Sequence, residues 1–302
     1  MRWTVGRRSQ NIEDRRGMGG GGGFGGSAVR VGGAGGIGVV VLALVAMFFG
    51  VDPSIILNGG LGGLGGGGGG GQVVNYERPT GGATSPEESQ REEFVSYVLN
   101  DTEQTWNAIF RAGGADYAEP RLVLFSGQVQ SACGAAGSST GPFYCPADQK
   151  VYLDLSFFDE LERKFAAPGD FAQAYVVSHE IGHHVQTLLG TSRKVNELRQ
   201  RVSKEEGNQL SVMMELQADC YAGVWANHAD KEGRVRFEQG DLEEGLRAAA
   251  AVGDDRIQRR SQGYVVPESF THGSSEQRVR WFRQGLQTGD LNTCDTFAAR
   301  AL

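Results

Sequence analysis

Residues 177–184 read VSHEIGHH, and the interpretation of the whole chain starts from this stretch. His179 and His183 are four residues apart, so in a helix both imidazoles project from one face and can bind one zinc ion. Glu180 lies one residue further round, on the side where the open position of the metal would hold water. The pattern HExxH therefore predicts one zinc ion per chain, with Glu180 as the general base.

The competing interpretation is an amphipathic helix with surface histidines, because HExxH occurs by chance in roughly one of a hundred chains of this size. Two features of the sequence disfavour it. The neighbours of the motif are apolar, which predicts a central, buried helix: Tyr175, Val176, Val177, Ile181 and Val185. In addition, three of the five histidines of the chain fall within these six residues, 179–184.

A third ligand is predicted downstream of the motif. The metzincin pattern needs glycine and then histidine after HExxH, but Gln186 and Leu189 stand at those positions. Residues 214–220 read MELQADC, with glutamate and aspartate four apart. In a thermolysin-like site the glutamate of ExxxD binds zinc and the aspartate hydrogen-bonds a ligand histidine. We therefore expect Glu215 as the third ligand and Asp219 behind a histidine, rather than two solvated acids.

His272 is the candidate for a second catalytic role. It lies in a loop just before a predicted helix, and it could donate a hydrogen bond to the substrate oxygen that becomes negative during hydrolysis. A structural loop histidine is the alternative, and the sequence does not separate the two. Tyr264 and Arg278 are weaker candidates for the same hydrogen bond.

The remaining patterns predict an α+β fold that is mostly helical, a zincin-like metallopeptidase domain with a small sheet. A helix start at residues 85–88 (SPEE) combines a serine cap with proline at the first helical position, and this helix stops at Gly113. Short alternating runs at residues 122–129 and 151–158 predict strands, and residues 151–155 could form an edge strand that pairs with an extended peptide substrate. Further helices are predicted over about residues 170–190, 194–206, 211–228, 242–251 and 275–285.

Glycine divides the chain into two parts. Of the 47 glycines, 28 lie within residues 1–82, a composition that does not build a packed core because glycine offers no apolar surface. We predict a basic, glycine-rich cytoplasmic arm at residues 1–30, a transmembrane anchor at 31–51 and a flexible glycine-rich linker at 52–85. The zinc metallopeptidase domain is predicted at residues 86–302.

The predicted anchor also suggests an orientation. Residues 31–51 are uncharged, and as a helix they would span roughly the 30 Å core of a bilayer. Glycine-rich flanks disfavour a buried core helix, and the long preceding region disfavours a cleaved signal peptide. Six arginines precede the segment and none follows until Arg78. We therefore predict a single-pass protein of the cytoplasmic membrane, with the N-terminus inside and the catalytic domain outside, periplasmic or extracellular.

The four cysteines agree with export, because an even number of cysteines in an exported domain predicts disulfide bonds. Cys133 and Cys145 flank a short loop rich in glycine and serine, so we pair them, which leaves Cys220 with Cys294. Four buried free thiols are the alternative. A cysteine-rich zinc site is disfavoured because no two cysteines have CxxC spacing.

Charge excludes one class of partner. The chain has a net charge of −7, and its first 30 residues carry +4, which leaves −11 for the rest. An acidic domain of this kind argues against nucleic acid as its partner.

Five segments are distinctive: CGAAGSSTGPFYCPADQKVYLDLSFF (133–158), HEIGHHVQTLLG (179–190), ELQADCYAGVWA (215–226), GDD (253–255) and THGSSEQRVRWF (271–282). Together they resemble the neutral zinc metallopeptidase family of bacterial, membrane-anchored proteins. The resemblance covers about residues 86–302. It implies the HExxH zinc site and a glycine-rich region with a single membrane anchor before the domain.

Two functions of different classes fit these patterns. The first is a membrane-anchored, zinc-dependent peptidase that hydrolyses bonds in a peptide or protein substrate. The alternative is a catalytically silent, zinc-stabilised binding or assembly factor of the cell envelope. The presence of Glu180 favours the peptidase, because a structural zinc has no use for a base and closes its fourth position with a ligand. An amidase acting on a cell-wall bond is a weaker third idea, and the sequence leaves the oligomeric state open.

Overall fold

The structure, a computed structural model, describes residues 2–3, 7–17, 85–299 and 302. The predicted anchor at residues 31–51 lies outside the described residues, and so does all of the predicted linker before Ser85. Within the described part of the chain, none of the helices combines the length and the apolar character that a bilayer crossing needs.

The described residues form the mostly helical α+β fold that the sequence predicts. The helices are α1 (Pro86–Ala112), α2 (Phe157–Arg163), α3 (Asp170–Leu188), α4 (Thr191–Arg199), α5 (Lys204–Lys231), α6 (Asp241–Ala251), α7 (Asp254–Gln262) and α8 (Ser275–Thr288). The strands are β1 (Arg2–Trp3), β2 (Ile12–Asp14), β3 (Arg121–Phe125), β4 (Gln128–Ser131), β5 (Gly134–Gly137), β6 (Phe143–Cys145), β7 (Lys150–Asp154) and β8 (Val235–Arg236).

The main sheet has four strands in the order β2-β3-β7-β6. Strands β2, β3 and β7 run parallel, and β6 runs antiparallel to β7. Strand β7 therefore has neighbours on both sides, so the prediction that residues 151–155 form a free edge for a substrate is wrong. The edge on that side of the sheet is β6. Two smaller ladders pair β1 with β8 and β4 with β5.

Local turn and cap chemistry sets the element boundaries. Helix α1 begins after Ser85, whose side chain accepts the N–H of the third helical residue, and it is followed by Gly113, as predicted. The predicted strand over residues 122–129 is two strands instead, because the chain turns at Gly127, which has a φ of 77°. Helix α5 begins after Ser203 in a capping box, so it starts earlier than predicted.

Residues 7–17, which are predicted to lie in the cytoplasmic arm, contribute strand β2 (Ile12–Asp14) to the main sheet in the structure. Strand β2 pairs in parallel with β3, with Ile12 opposite Leu122, and the Ile12 side chain packs against the core. The average composition of residues 1–82 hides this stretch, because residues 7–16 contain no glycine. The composition of residues 7–16 is therefore compatible with a strand. This strand forms hydrogen bonds with backbone groups of β3 that would otherwise lie at the edge of the sheet.

Both predicted disulfide bonds are confirmed. Cys133 and Cys145 are joined, with their Cα atoms 5.8 Å apart, and Cys220 and Cys294 are joined, with their Cα atoms 5.6 Å apart. The second bond attaches the segment after α8 to the middle of α5. It closes a loop of 74 residues, for which chain entropy gives a stabilisation of about 4 kcal/mol.

Helices α3 and α5 approach each other closely at a glycine inside the HExxH motif. A methyl group on Gly182 would lie 2.9 Å from the carbonyl oxygen of Ala218 and 3.1 Å from its Cα atom. Real side chains do not come this close to backbone atoms, so only glycine permits the observed separation. The contact brings the face of α3 that carries the motif against the part of α5 that carries Glu215 and Asp219.

We expect Gly182→Ala to push α3 and α5 apart and to lower the free energy of unfolding by about 1–3 kcal/mol. Metal affinity should fall as well, as measured by competition with a chelator. Gly207→Ala in α5 is the matched control, because an added methyl group there meets only the Arg199 side chain, at 3.9 Å. That change should be neutral or stabilising, since alanine favours helix. Equal metal affinities of the two variants would contradict the role of Gly182.

Candidate metal centre

Three side chains from two helices converge in the structure: His179 and His183 from α3, and Glu215 from α5. One donor atom from each lies within 4.8 Å of the other two. The Nε2 atom of His179 is 3.2 Å from one carboxylate oxygen of Glu215, and the Nε2 atom of His183 is 3.3 Å from the other. The two histidines and the glutamate singled out in the sequence are therefore brought together.

The donor atoms fit a zinc ion. Ligand bonds of about 2.0–2.2 Å at tetrahedral angles put neighbouring donor atoms roughly 3.3–3.5 Å apart. The nitrogen–oxygen separations of 3.2 and 3.3 Å, which involve different oxygens of the Glu215 carboxylate, are close to this spacing. Two imidazole nitrogens and one carboxylate oxygen are also a donor set that catalytic zinc sites use, with a fourth position left for water.

Asp219 orients the first histidine. Its Oδ1 atom lies 2.8 Å from Nδ1 of His179, so the ring donates from Nδ1 and presents Nε2 to the metal position. Asp219 is fully buried and is itself held by Arg278, whose Nε donates to Oδ2 at 2.8 Å and whose Nη2 donates to Oδ1 at 2.9 Å. The hydroxyl of Tyr175 donates to Oδ1 as well. Asp219 thus lies where the sequence analysis expects it.

Gln186 orients the second histidine, which the sequence analysis did not foresee. Its side-chain oxygen lies 2.9 Å from Nδ1 of His183. The amide nitrogen donates to the carbonyl oxygen of Met214 at 2.7 Å and to the side chain of Gln217 at 3.1 Å, which fixes the oxygen toward the ring. The signal was available: Gln186 lies three residues after His183, one helical turn away. In the sequence, the same residue also shows that the metzincin pattern is absent.

Burial and charge set the ionisation of these groups. Burial lowers the pKa of His179, but the carboxylates of Asp219 and Glu215 outweigh it and raise the pKa to about 9. Burial disfavours the ionised form of Glu215, but the two histidines hold its pKa well below the usual value. A cluster of this kind without a metal ion binds protons at neutral pH, because its carboxylates need positive partners.

Glu180 lies beside the cluster and is buried, with 8 % of its surface exposed. Burial raises the pKa of its carboxyl group, and the neighbouring His179 and His183 only partly oppose the shift. A base is most effective when its pKa is close to the working pH, so the shift favours proton transfer by this residue.

His272 is fixed by Asp254, a residue that the sequence analysis noted only within a family-like GDD run. One carboxylate oxygen of Asp254 accepts three backbone N–H groups, from Thr271 at 2.7 Å, His272 at 2.6 Å and Gly273 at 3.1 Å. The other carboxylate oxygen lies 3.1 Å from Nδ1 of His272. Burial lowers the pKa of His272. The hydrogen bond to Asp254 and the charge of Glu215 outweigh burial, so the pKa lies above its usual value. A methyl group on Gly273 would lie 3.2 Å from the side chains of Val212 and Leu216, so the loop lies against α5 next to Glu215.

The other candidates lie elsewhere. Arg278 is buried behind Asp219, and its nearest approach to Glu215 is 3.8 Å, so it supports the orienting aspartate. Tyr264 is 62 % exposed. His184 points away from the cluster, and its Nε2 donates to the carbonyl oxygen of Ala118 at 2.6 Å.

The sequence of the chain matches a known protein family. The family described as "Putative neutral zinc metallopeptidase" matches residues 1–297. The chain belongs to this family. Membership implies a zinc ion and supports a peptidase, in agreement with the histidine and glutamate cluster.

Relatives share most of the sequence. The chain is 47% identical to a protein named YpfJ from Escherichia coli strain K12 over 298 residues, which cover 98% of this chain and 99% of the relative. It is 45% identical to a protein named Mb2605 from Mycobacterium bovis over 218 residues, 69% of this chain and 73% of the relative. Neither name states an activity, and no solved structure matches the chain.

We expect Gln186→Leu to weaken zinc binding by about 10–100-fold, because His183 loses the acceptor that fixes its ring. Competition with a fluorescent chelator measures the change. Thr187→Val is the matched control, since its hydroxyl bonds a backbone carbonyl and Ser192 and does not bond the ring. Affinity losses of the same size in both variants would show that a general disturbance of α3, and not the ring contact, is responsible.

Zinc binding should release protons at about pH 7. The pKa of His179 is raised to about 9 in the metal-free protein, so the ring is protonated at neutral pH and zinc must displace the proton. Affinity should therefore fall as the pH falls. Calorimetric titrations in buffers of different ionisation enthalpy count the released protons. Asp219→Asn should release fewer, because it removes a charge that raises this pKa; equal numbers would contradict the assignment.

Proposed function

We propose that this protein is a zinc-dependent peptidase whose metal is held by His179, His183 and Glu215. The observation that carries the proposal is the convergence of three donor atoms, all within 4.8 Å of one another, beside the buried carboxylate of Glu180. Membership of a zinc peptidase family supports the same class of reaction.

The chemistry divides between the metal and the protein. A zinc ion at this position would supply Lewis acidity, which polarises a substrate carbonyl and lowers the pKa of a water molecule. The Glu180 carboxylate accepts the proton of the attacking water and then delivers it to the nitrogen of the leaving amine. Asp219 and Gln186 keep both histidine rings oriented throughout, because each holds an Nδ1 atom on the side away from the metal position.

His272 donates a hydrogen bond that stabilises the negative charge developing on the substrate oxygen. Its Nδ1 is engaged by Asp254, so Nε2 can donate a hydrogen bond only when the ring carries both protons. The net rise of its pKa favours that doubly protonated form. Asp254 is then the positioning residue for His272, since it also binds the backbone of the loop.

We also propose a fold family and a cellular location for the domain. We place the domain among zincin-like metallopeptidases, because a helix with HExxH packs on a second helix that carries the third ligand. We place it at the cytoplasmic membrane, attached through residues 31–51, with the domain outside the cytoplasm. The uncharged sequence of that segment and the two disulfide bonds support this location.

The test is Glu180→Gln in the purified full chain, assayed on denatured casein and on a mixture of fluorogenic peptides. The amide keeps the shape of the side chain but cannot accept a proton, so the rate should fall by about 10²–10⁴-fold. Zinc content and melting temperature should stay close to wild type, because Glu180 is not among the three proposed ligands.

His179→Ala is the contrasting variant, since it should lose zinc together with activity and part of the folding free energy. A zinc-loaded wild-type protein that hydrolyses these substrates no faster than Glu180→Gln would contradict the peptidase. The remaining function would then be that of a catalytically silent, zinc-stabilised binding or assembly factor.

A further inference from the structure

The region before the hydrophobic segment is bound to the domain by specific contacts. We call residues 7–17 the docked arm. Its backbone forms a parallel ladder with β3, in which Leu122 donates to the carbonyl oxygen of Asn11 at 2.8 Å and Arg15 donates to the carbonyl oxygen of Leu124 at 2.8 Å. These hydrogen bonds fix the register of the arm on the sheet.

Side chains of the domain recognise the docked arm. The hydroxyl of Ser9 donates to Glu103 at 2.6 Å, and both residues are buried. The amide of Asn11 donates to Glu103 at 2.9 Å and to Glu119 at 2.8 Å. An accidental contact of a flexible arm would not provide buried polar groups with matched partners on both sides.

Charged side chains of the docked arm form ion pairs with the domain. Arg8 pairs with Glu93 on α1, and Arg16 pairs with Glu92 on the same helix. Lys150 of the domain pairs with Glu13 of the arm at 2.8 Å. Arg8 and Arg16, two of the six arginines that suggested a cytoplasmic position, thus have carboxylate partners in the domain.

A single membrane crossing between the docked arm and the domain conflicts with these contacts. If residues 31–51 crossed once, Gly17 and Ser85 would lie on opposite faces of a hydrocarbon core roughly 30 Å thick. Adjacent strands such as β2 and β3 are only about 4.8 Å apart. The conflict is the same if the arm binds a second copy of the chain in the same membrane with the same orientation.

We infer that residues 7–17 and the domain at residues 85–299 lie on the same side of the membrane. Residues 31–51 then attach the chain without carrying the arm across. The sequence permits this, because the uninterrupted apolar part, residues 37–49 (IGVVVLALVAMFF), has 13 residues. As a helix it would be about 20 Å long, a length typical of interfacial or re-entrant segments rather than of full crossings.

The family comparison includes the docked arm in the shared sequence. The family matches residues 1–297, so the docked arm belongs to the shared sequence pattern together with the metal-binding residues. The match to the Escherichia coli relative likewise covers 98% of the chain. This same-side arrangement rests on the proposed membrane attachment and is independent of the proposed peptidase activity.

Cysteine labelling of the full chain in cells tests the inference. All four native cysteines are in disulfide bonds, so an introduced thiol is the one available for a maleimide. Gln10→Cys reports on the docked arm, and Asn196→Cys on helix α4 reports on the domain; both positions are exposed. A membrane-impermeant maleimide is added to right-side-out membrane vesicles, with and without detergent.

Both variants should react to the same extent in sealed vesicles, and detergent should change both labelling levels equally. Labelling of Asn196→Cys in sealed vesicles together with labelling of Gln10→Cys only after detergent would overturn the inference and restore a single crossing. Alkaline carbonate extraction of the same vesicles tests the membrane attachment separately. The labelling experiment thus tests the same-side arrangement, and the extraction tests whether the chain is attached to the membrane at all.

Discussion

The metal-binding cluster depends on how closely helices α3 and α5 approach. Its donor atoms come from both helices and must lie a little more than 3 Å apart, so a helix separation larger by the width of one methyl group would disrupt the set. Gly182 provides the necessary room against Ala218. The pattern HExxH leaves this position free, yet the packing of this protein requires the smallest residue there. The geometry of the site is thus a property of helix packing as much as of ligand identity.

Charge balance explains why so many ionisable groups are tolerated in one buried region. Glu180, Glu215 and Asp219 contribute three negative charges, and Arg278 contributes one positive charge. A divalent cation makes the region neutral, whereas without it the histidines must take up protons, which agrees with the raised pKa of His179. The same carboxylates that bind or orient ligands therefore make a positive ion necessary for a stable interior.

The sequence predicts features that are set by local periodicity, and it misses those that depend on tertiary contacts. His179, His183, Glu215 and Asp219 follow helical spacing, so their convergence could be foreseen, and so could both disulfide pairings. Gln186 and Asp254 were missed because glutamine and aspartate are common on surfaces, and only folding shows what their oxygens accept. The docked arm was missed for another reason: a strand of three residues is too short to be separated from its glycine-rich surroundings by composition.

The bond between Cys220 and Cys294 has a consequence for how the site is assembled. Cys220 follows Asp219 directly, and the carbonyl oxygen of Cys294 accepts a hydrogen bond from Gln217, which in turn binds Gln186. The residues that orient the two histidine rings, Asp219 and Gln186, are thus both linked to the disulfide bond between Cys220 and Cys294, Asp219 through the chain and Gln186 through Gln217. Closing that bond restricts the supports before any ion arrives, so an incoming metal meets a preorganised site and loses less entropy on binding. Oxidation is in this sense a maturation step for the metal centre, and a chain that folds with its thiols reduced would present a looser site to the same ion.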